Sequence, residues 1–279
     1  PFVLRQDQDR LYGRGTADNK AQHLINIQAQ ECVIAARGKL GFNAAWLIEM
    51  GEETGSPGLE AFCQENQDLL GAQVLIASDG PRLSPDVPLV FLGARGAINF
   101  TLSVELRKGA HHSGNWGGLL TDPSVILAHA LSTITNARGQ IQVPEWHPTS
   151  LTPDIRALIA KLPLPVGPAI DRDWGDAALT PQERVYGWNA FAVLAMESGV
   201  PAAPVNAISG HAKATCQLRF VTGTDVDDIL PALRRHLVRA GFPQVRIDRS
   251  DNGFFPATRS DPDNPWVARV VTSLRKTLG

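Results

Sequence analysis

From Lys20 to Arg37 the small and apolar residues Ala21, Ile25, Ala29, Cys32 and Ala36 recur at steps of four and three, and Gly38 follows. That spacing predicts a helix over 20–37 with a glycine stop. Asn43 to Met50 is nearly unbroken apolar sequence, too short for a typical helix, and reads as a strand covered on both faces. Val74 to Ser78 repeats the pattern and ends at Asp79-Gly80. Between these runs, Ser56-Pro57 offers an N-cap and a first-turn proline for a helix through about Asn66. Helix, strand, helix, strand is the alternation of a parallel sheet covered by helices.

After about Gly93 the pattern changes. Asn99 to Leu106 alternates as a strand with one wet face does, and Pro123 to Ile134 reads as a helix. Residues 144 to 181 carry Pro144, Pro148, Pro153, Pro163, Pro165, Pro168 and Pro181, which predicts a long irregular insertion with one helix near Pro153 to Lys161. Ala190 to Met196 fits helix or strand. Ala212 to Val221 predicts a strand, Val226 to Ala240 an amphipathic helix ended by Gly241, and Val245 to Asp248 a short strand. Asn264-Pro265 opens a last helix, Trp266 to Leu278. The fold class is therefore α/β: a mixed, mostly parallel sheet with covering helices, into which a smaller α+β domain with an antiparallel sheet is inserted.

A length of 279 residues is enough for about two domains. Lys plus Arg is 26 against 28 Asp plus Glu, a net charge of −2 with no long run of one sign, which argues against nucleic acid or an anionic membrane as the main partner. No apolar stretch approaches the ~20 residues of a membrane span. The 3 cysteines, Cys32, Cys63 and Cys216, are far apart and free of any C-x-x-C pattern, so they read as buried thiols of a reducing, cytoplasmic protein. Residue 1 is Pro, and Pro1-Phe2-Val3-Leu4 is neither the basic nor the apolar part of a signal peptide, so the chain is expected to begin in mid-fold.

The informative chemistry is acidic. Glu52 and Glu53 follow the first apolar run across Gly51, Asp79 follows the second, and Asp18 ends the loop before the first helix. Ligands gather at the carboxyl ends of strands in open α/β sheets. Carboxylates converging there repel one another unless a cation neutralises them. Each acid taken alone reads equally well as a loop acid or a helix cap, whereas the set favours a metal site. Gly13-x-Gly15 is a poor nucleotide signal, because no third glycine completes the fingerprint.

Five ordered strings carry a resemblance: Leu11-Tyr12-Gly13-Arg14-Gly15-Thr16-Ala17-Asp18-Asn19-Lys20, Gly51-Glu52-Glu53-Thr54-Gly55-Ser56-Pro57-Gly58, Ser78-Asp79-Gly80, Arg95-Gly96 and His112-Ser113-Gly114. Together they resemble the M20 metallopeptidases, specifically the carnosinase-like dipeptidase branch. The resemblance implies a hydrolase with two divalent ions, Zn²⁺ or alternatively Mn²⁺, in which Asp18 bridges the ions, Glu53 binds one and Asp79 the other. Glu52 is then the general base that works with a metal-activated water. Residues 1–93 with 250–279 become the catalytic domain, and 94–249 an inserted lid that also forms a homodimer. His112 would stabilise the oxyanion in the partner's site, and Asn206 and Arg219 on the lid would hold the substrate, Arg219 through its free carboxylate. A cis peptide at Asp18-Asn19 is implied as well.

The sequence also departs from the pattern. A His-x-Asp motif upstream and a second histidine downstream are absent, and Ala21 stands where the family usually has Gly. The chain thus offers oxygen ligands alone, which suit Mg²⁺ or Mn²⁺ better than Zn²⁺, and the expectation is that the sequence is a piece of a complete enzyme. The substrate expected is a small peptide. The alternatives are an N-acyl amino acid, cleaved by a deacylase of the same family, or a non-catalytic dimeric binding protein that has lost its metal histidines.

Overall fold

The computed structural model describes residues 2–79, 88–164 and 170–278, with the backbone alone for 251–253. Pro1, Gly80, Pro165 and Pro168, which figure in the sequence reading, lie outside the described residues. The chain divides into two units, Pro1–Leu89 with Ser273–Gly279, and Val90–Thr272.

In the first unit, β1 (Arg5–Asp7) and β2 (Arg10–Tyr12) pair antiparallel across a turn in which Gln8 takes a φ of 54°. Helix α1 spans Lys20–Arg37, the range the apolar spacing predicts, and stops where Gly38 turns left-handed at φ 73° and its N–H closes on the Ile34 carbonyl. A 3₁₀ turn, Glu52–Thr54, leads to α2 (Leu59–Glu65) and α3 (Gln67–Leu70). The Ser56-Pro57 helix start is not used: Ser56 and Gly58 both have positive φ, 49° and 86°, so the helix begins at Leu59.

Asn43–Met50 and Val74–Ser78 are not strands. Neither pairs with a described strand, and their side chains are largely uncovered, as at Met50 and Leu75, 85% and 86% exposed. A strand is stabilised by its ladder and by cross-strand neighbours, so apolar content without a pairing partner leaves extended, unassigned chain. Among the described residues of this unit only Gly15 is buried. Cys32 accordingly is exposed on α1, Cys63 is half-buried, and only Cys216, in the second unit, is the buried thiol that the sequence suggested for all three.

The second unit carries a four-stranded antiparallel sheet. In chain order its elements are β3 (Gly93–Ala94), β4 (Gly96–His112), α4 (Ser113–Trp116), α5 (Pro123–Ile134), α6 (Pro153–Ile159), α7 (Pro181–Tyr186), β5 (Ala190–Ser198), β6 (Ala207–Phe220), α8 (Ile229–Arg239), β7 (Arg246–Phe255) and β8 (Thr258–Arg259). Helix α9 (Pro265–Leu278) follows. The sheet order is β5-β6-β4-β7, and β3 pairs separately with β8. Helices and sheets occur together, the mixed α/β class expected, but every ladder among the described residues is antiparallel.

Period-two alternation decides which face is dry. Phe100, Leu102 and Val104 of β4 and Ala212, Ala214, Cys216, Leu218 and Phe220 of β6 are buried, while the residues between them are polar or half-exposed. Leu127, Ala130 and Ile134 of α5, with Ile229, Ala232, Leu233 and Leu237 of α8, complete the same core cluster at helical spacing. The ambiguous run at 190 is an edge strand, because its backbone extends the β6 ladder.

The described part of the proline-rich segment carries two helices where one was expected. Pro123, Pro153 and Pro181 occupy first helical turns behind the caps Asp122, Thr152 and Thr180, where the missing N–H costs nothing. Trp146, in the 3₁₀ turn Pro144–Trp146, is fully buried; it packs edge-on to Phe100 with centroids 6.3 Å apart, and its indole N–H donates to the Ile229 carbonyl at 2.9 Å.

Candidate functional site

The first unit brings acidic groups from three separate loops into electrostatic reach. The loop before α1 is wound by Thr16, whose hydroxyl donates to the Gly13 carbonyl at 2.9 Å, and by Gly15, at φ 84°. A Cβ at Gly15 would come within 2.9 Å of the Lys20 side chain. Asp18 ends this loop, and its peptide bond to Asn19 is cis.

Glu52 and Glu53 open the 3₁₀ turn. The Gly51 carbonyl anchors that turn, accepting from the Thr54 and Ser56 N–H groups and the Thr54 hydroxyl, each at 2.9 Å. Glu49 braces it from behind: Oε1 accepts from the Gly51 N–H at 2.6 Å and Oε2 from the Ser56 hydroxyl at 3.3 Å. The sequence reading passed over Glu49, although it is the one charged residue in the run Asn43–Met50.

The Glu52 carboxyl titrates above the ordinary glutamate range, first because it is partly desolvated and then because Glu53, Asp79, Asp18 and Glu49 surround it with negative charge. Asp18, Glu52 and Glu53 have no ion pair with Lys, Arg or His among the described residues. Crowded oxygen donors of this kind fit a hard divalent cation, which would relieve their repulsion. They are not drawn together as a finished cage: no three His, Cys, Asp or Glu side chains among the described residues stand where they would hold a metal.

The predicted residues of the second unit fall at opposite ends of the β4–β6 ladder. At one end His112 faces Ala207, and the Ser113 N–H donates to the Asn206 carbonyl at 2.9 Å, so His112 and Asn206 are neighbours. His112 Nδ1 accepts from the Gly114 N–H at 3.1 Å, which leaves the ring proton on Nε2 as a donor. At the other end Arg219 lies in register with Ala97 on one side and Ala190 on the other. Its Nε donates to Gln217 Oε1 at 3.0 Å, and Gln217 in turn donates to Asn99 Oδ1 at 2.8 Å. Among the described residues neither terminal nitrogen of the Arg219 fork has a hydrogen-bond partner, which leaves both for a ligand. From Ala207 to Arg219 the strand spans about 40 Å at ~3.3 Å per residue, so the two ends cannot touch one small molecule in the same copy.

Residues 1–279 match the family model described as peptidase family M20/M25/M40. A beta-Ala-His dipeptidase of Rattus norvegicus is 34% identical over 146 residues, covering 52% of this chain and 30% of the relative. A cysteinylglycine-S-conjugate dipeptidase of Corynebacterium striatum is 26% identical over 292 residues, covering 100% of this chain and 62% of the relative. The fold is similar to that of an M20 family metallo-carboxypeptidase from Sulfolobus solfataricus, with a TM-score of 0.79 at 24% identity over 99% of this chain and 64% of the other. The human carnosine dipeptidase 1 structure aligns with a TM-score of 0.70 at 20% identity, covering 99% and 62%. The chain thus spans less than two thirds of the length of these relatives.

Proposed function

Because the chain belongs to peptidase family M20/M25/M40, we propose that the whole protein is a metal-dependent hydrolase that cleaves the amide bond of dipeptides or similar small peptides. The observation that carries this reading is the electrostatic convergence of Asp18, Glu52, Glu53 and Asp79 from three loops of one unit. The names of the dipeptidase relatives support the substrate class. In this reading residues 1–93 with 250–279 form the catalytic domain and 94–249 a lid that forms a homodimer.

Asp18, Glu53 and Asp79 would hold two divalent ions, Zn²⁺ or Mn²⁺. When bound, such ions polarise an amide carbonyl and acidify water. Glu52 takes the proton of the attacking water and delivers it to the departing amine nitrogen. Arg219, its Nε engaged by Gln217, offers its two terminal N–H groups to the substrate's free carboxylate. His112 Nε2–H is the oxyanion donor, and Asn206 beside it orients the substrate. The ~40 Å between the Arg219 and His112 ends of β6 supports a site shared between two copies. So does edge strand β5, which leaves Val193, Leu194 and Met196 exposed beside a backbone edge that no described strand pairs with. The free thiols fit a cytoplasmic location, and no helix among the described residues is long and apolar enough to cross a membrane.

The test is Glu52→Gln in the metal-loaded protein. Dipeptide turnover should fall about 10²- to 10⁴-fold while the bound-metal count holds. Undiminished turnover would overturn the assignment of Glu52.

A further inference from the structure

Arg95 lies one residue before β4 and takes no part in the chemistry described so far. Its Nη2 donates to the Arg219 carbonyl at 3.5 Å, which places one arginine against the backbone of the other. Its Nε is buried and has no hydrogen-bond partner among the described residues. Among the described residues neither arginine has a carboxylate partner: the ion pairs of this unit involve Arg156, Arg235, Arg239 and Arg246. Desolvation first, and the Arg219 charge second, pull the Arg95 pKa down to about 10, so the two guanidinium groups feel each other.

Leaving two like charges together, one with a buried unsatisfied donor, is unfavourable for the protein alone. The surroundings are built to keep the pair available. Arg219 is flanked in the sheet by Ala97 and Ala190, which have no side chain tall enough to cover it. The Asn99–Gln217 chain holds its Nε on the inner side. A single substrate carboxylate on Arg219 neutralises one of the two charges and leaves Arg95 uncompensated.

We propose that Arg95 is a specificity-determining residue that, with Arg219, forms a two-guanidinium cradle for peptides whose C-terminal residue carries a second carboxylate, aspartate or glutamate. Arg219 takes the main-chain carboxylate and Arg95 the side-chain carboxylate, each through charge-assisted hydrogen bonds. The proposal rests on the dipeptidase reading for its substrate and on the arginine geometry for its selectivity.

The experiment compares Ala-Glu with the near-isosteric Ala-Gln in the metal-loaded protein, as wild type, Arg95→Gln and Arg95→Lys. The wild type should favour Ala-Glu in kcat/KM by about 10- to 100-fold, the effect of one charge-assisted contact. Arg95→Gln should lose that ratio mainly through KM for Ala-Glu, and Arg95→Lys should restore part of it. Equal kcat/KM for the two peptides in the wild type, or a preference that survives Arg95→Gln, overturns the proposal and leaves the dipeptidase reading standing. A second arm needs no turnover: mass-spectrometric mapping of phenylglyoxal modification with free glutamate or glutamine present. Glutamate should protect Arg95 and Arg219 together, and glutamine Arg219 alone. Protection without hydrolysis of either peptide would uphold the cradle and overturn the dipeptidase reading, whereas an Arg95 that glutamate leaves unprotected overturns the cradle.

Discussion

Asn189→Ala should destabilise the second unit far more than its small polar side chain suggests. Asn189 is buried and sits immediately before β5. Its Nδ2 donates to the Trp146 carbonyl at 2.6 Å and to Thr224 Oγ1 at 2.9 Å, while Oδ1 accepts from the Val221 N–H at 2.9 Å and the Thr224 hydroxyl at 3.3 Å. One amide thus ties together the tryptophan turn, the start of β5 and the end of β6. Truncation leaves the Trp146 carbonyl and the Val221 N–H without these partners. A buried polar group left unmade costs about 1–3 kcal/mol, so the pair costs roughly 3 kcal/mol after partial relaxation. At ~2–4 °C per kcal/mol for a domain of this size, the melting temperature should fall by about 6–12 °C. Thr224→Ala removes one half-buried partner and should cost about 1 kcal/mol. Calorimetry and urea titration of both variants against wild type measure the difference. An Asn189→Ala melt within about 2 °C of wild type, or a Thr224→Ala cost as large, would refute the idea that this amide is the tie.

Acid should weaken the same unit through Glu183. Burial pushes its carboxyl up, but the Thr180 N–H, Arg156 and the Thr180 hydroxyl outweigh that and hold its pKa below the ordinary 4.5. A depressed folded-state pKa contributes stability above about pH 4.5 and loses it as pH falls through the lower value. Melting temperature should therefore drop below about pH 4.5, and Glu183→Gln should flatten that drop; an identical pH profile in the variant would refute the assignment. The proposed shared site predicts complementation: His112→Ala and Arg219→Ala should each be nearly inactive alone, yet mixing them under subunit exchange should restore about a quarter of wild-type turnover through mixed dimers with one intact site. No recovery in demonstrably mixed dimers would place both residues in the same copy's site.

Where the sequence carried explicit start and stop chemistry, the elements were legible. Helix α1 ends at Gly38 and α5 begins with Asp122-Pro123, and both helices match the expected ranges. The central parts of β4 and β6 were legible as well, since one dry face imposes period-two alternation on them, whereas β5 read as helix or strand and the short β3 and β8 carried no signal. The apolar runs 43–50 and 74–78 misled because apolar content says nothing about pairing, which is non-local. The proline-rich segment misled in the opposite direction: the helix at Pro153 was expected, but Pro181 was counted as a breaker and yet begins a helix behind the Thr180 cap. The carboxylates Asp18, Glu52, Glu53 and Asp79 were singled out partly on an expected strand-end placement that the structure does not show; the order of the motifs is what picked out four acids that lie in one another's electrostatic reach. Glu49 was not singled out, and Arg95, although part of the Arg95-Gly96 string, was given no role, because each acts through a neighbour's backbone, the Gly51 N–H and the Arg219 carbonyl, and such contacts leave no spacing signature.

The length of β6 constrains the chemistry more tightly than any single side chain. A dipeptide is shorter than about 10 Å, four residues of strand at most. Arg219 and His112 sit roughly four times that distance apart on one rigid antiparallel ladder, and the register slip in β4 between Glu105 and Ala110 does not fold the ladder back on itself, because pairing resumes at Ala110↔Ser209 and continues to His112↔Ala207. No hinge within the sheet can bring them together without breaking backbone hydrogen bonds along its length. If both act on one substrate, one of them comes from another molecule. The apolar edge at β5, which pairs with no further strand among the described residues, is the kind of surface that such an association would cover. The polar bracing has the same logic at each end: Gly114 fixes the His112 ring and Gln217 fixes the Arg219 fork. In the proposed shared site each group would be oriented by its own copy before a second copy completes it, and the orienting cost would be met in folding rather than in the encounter.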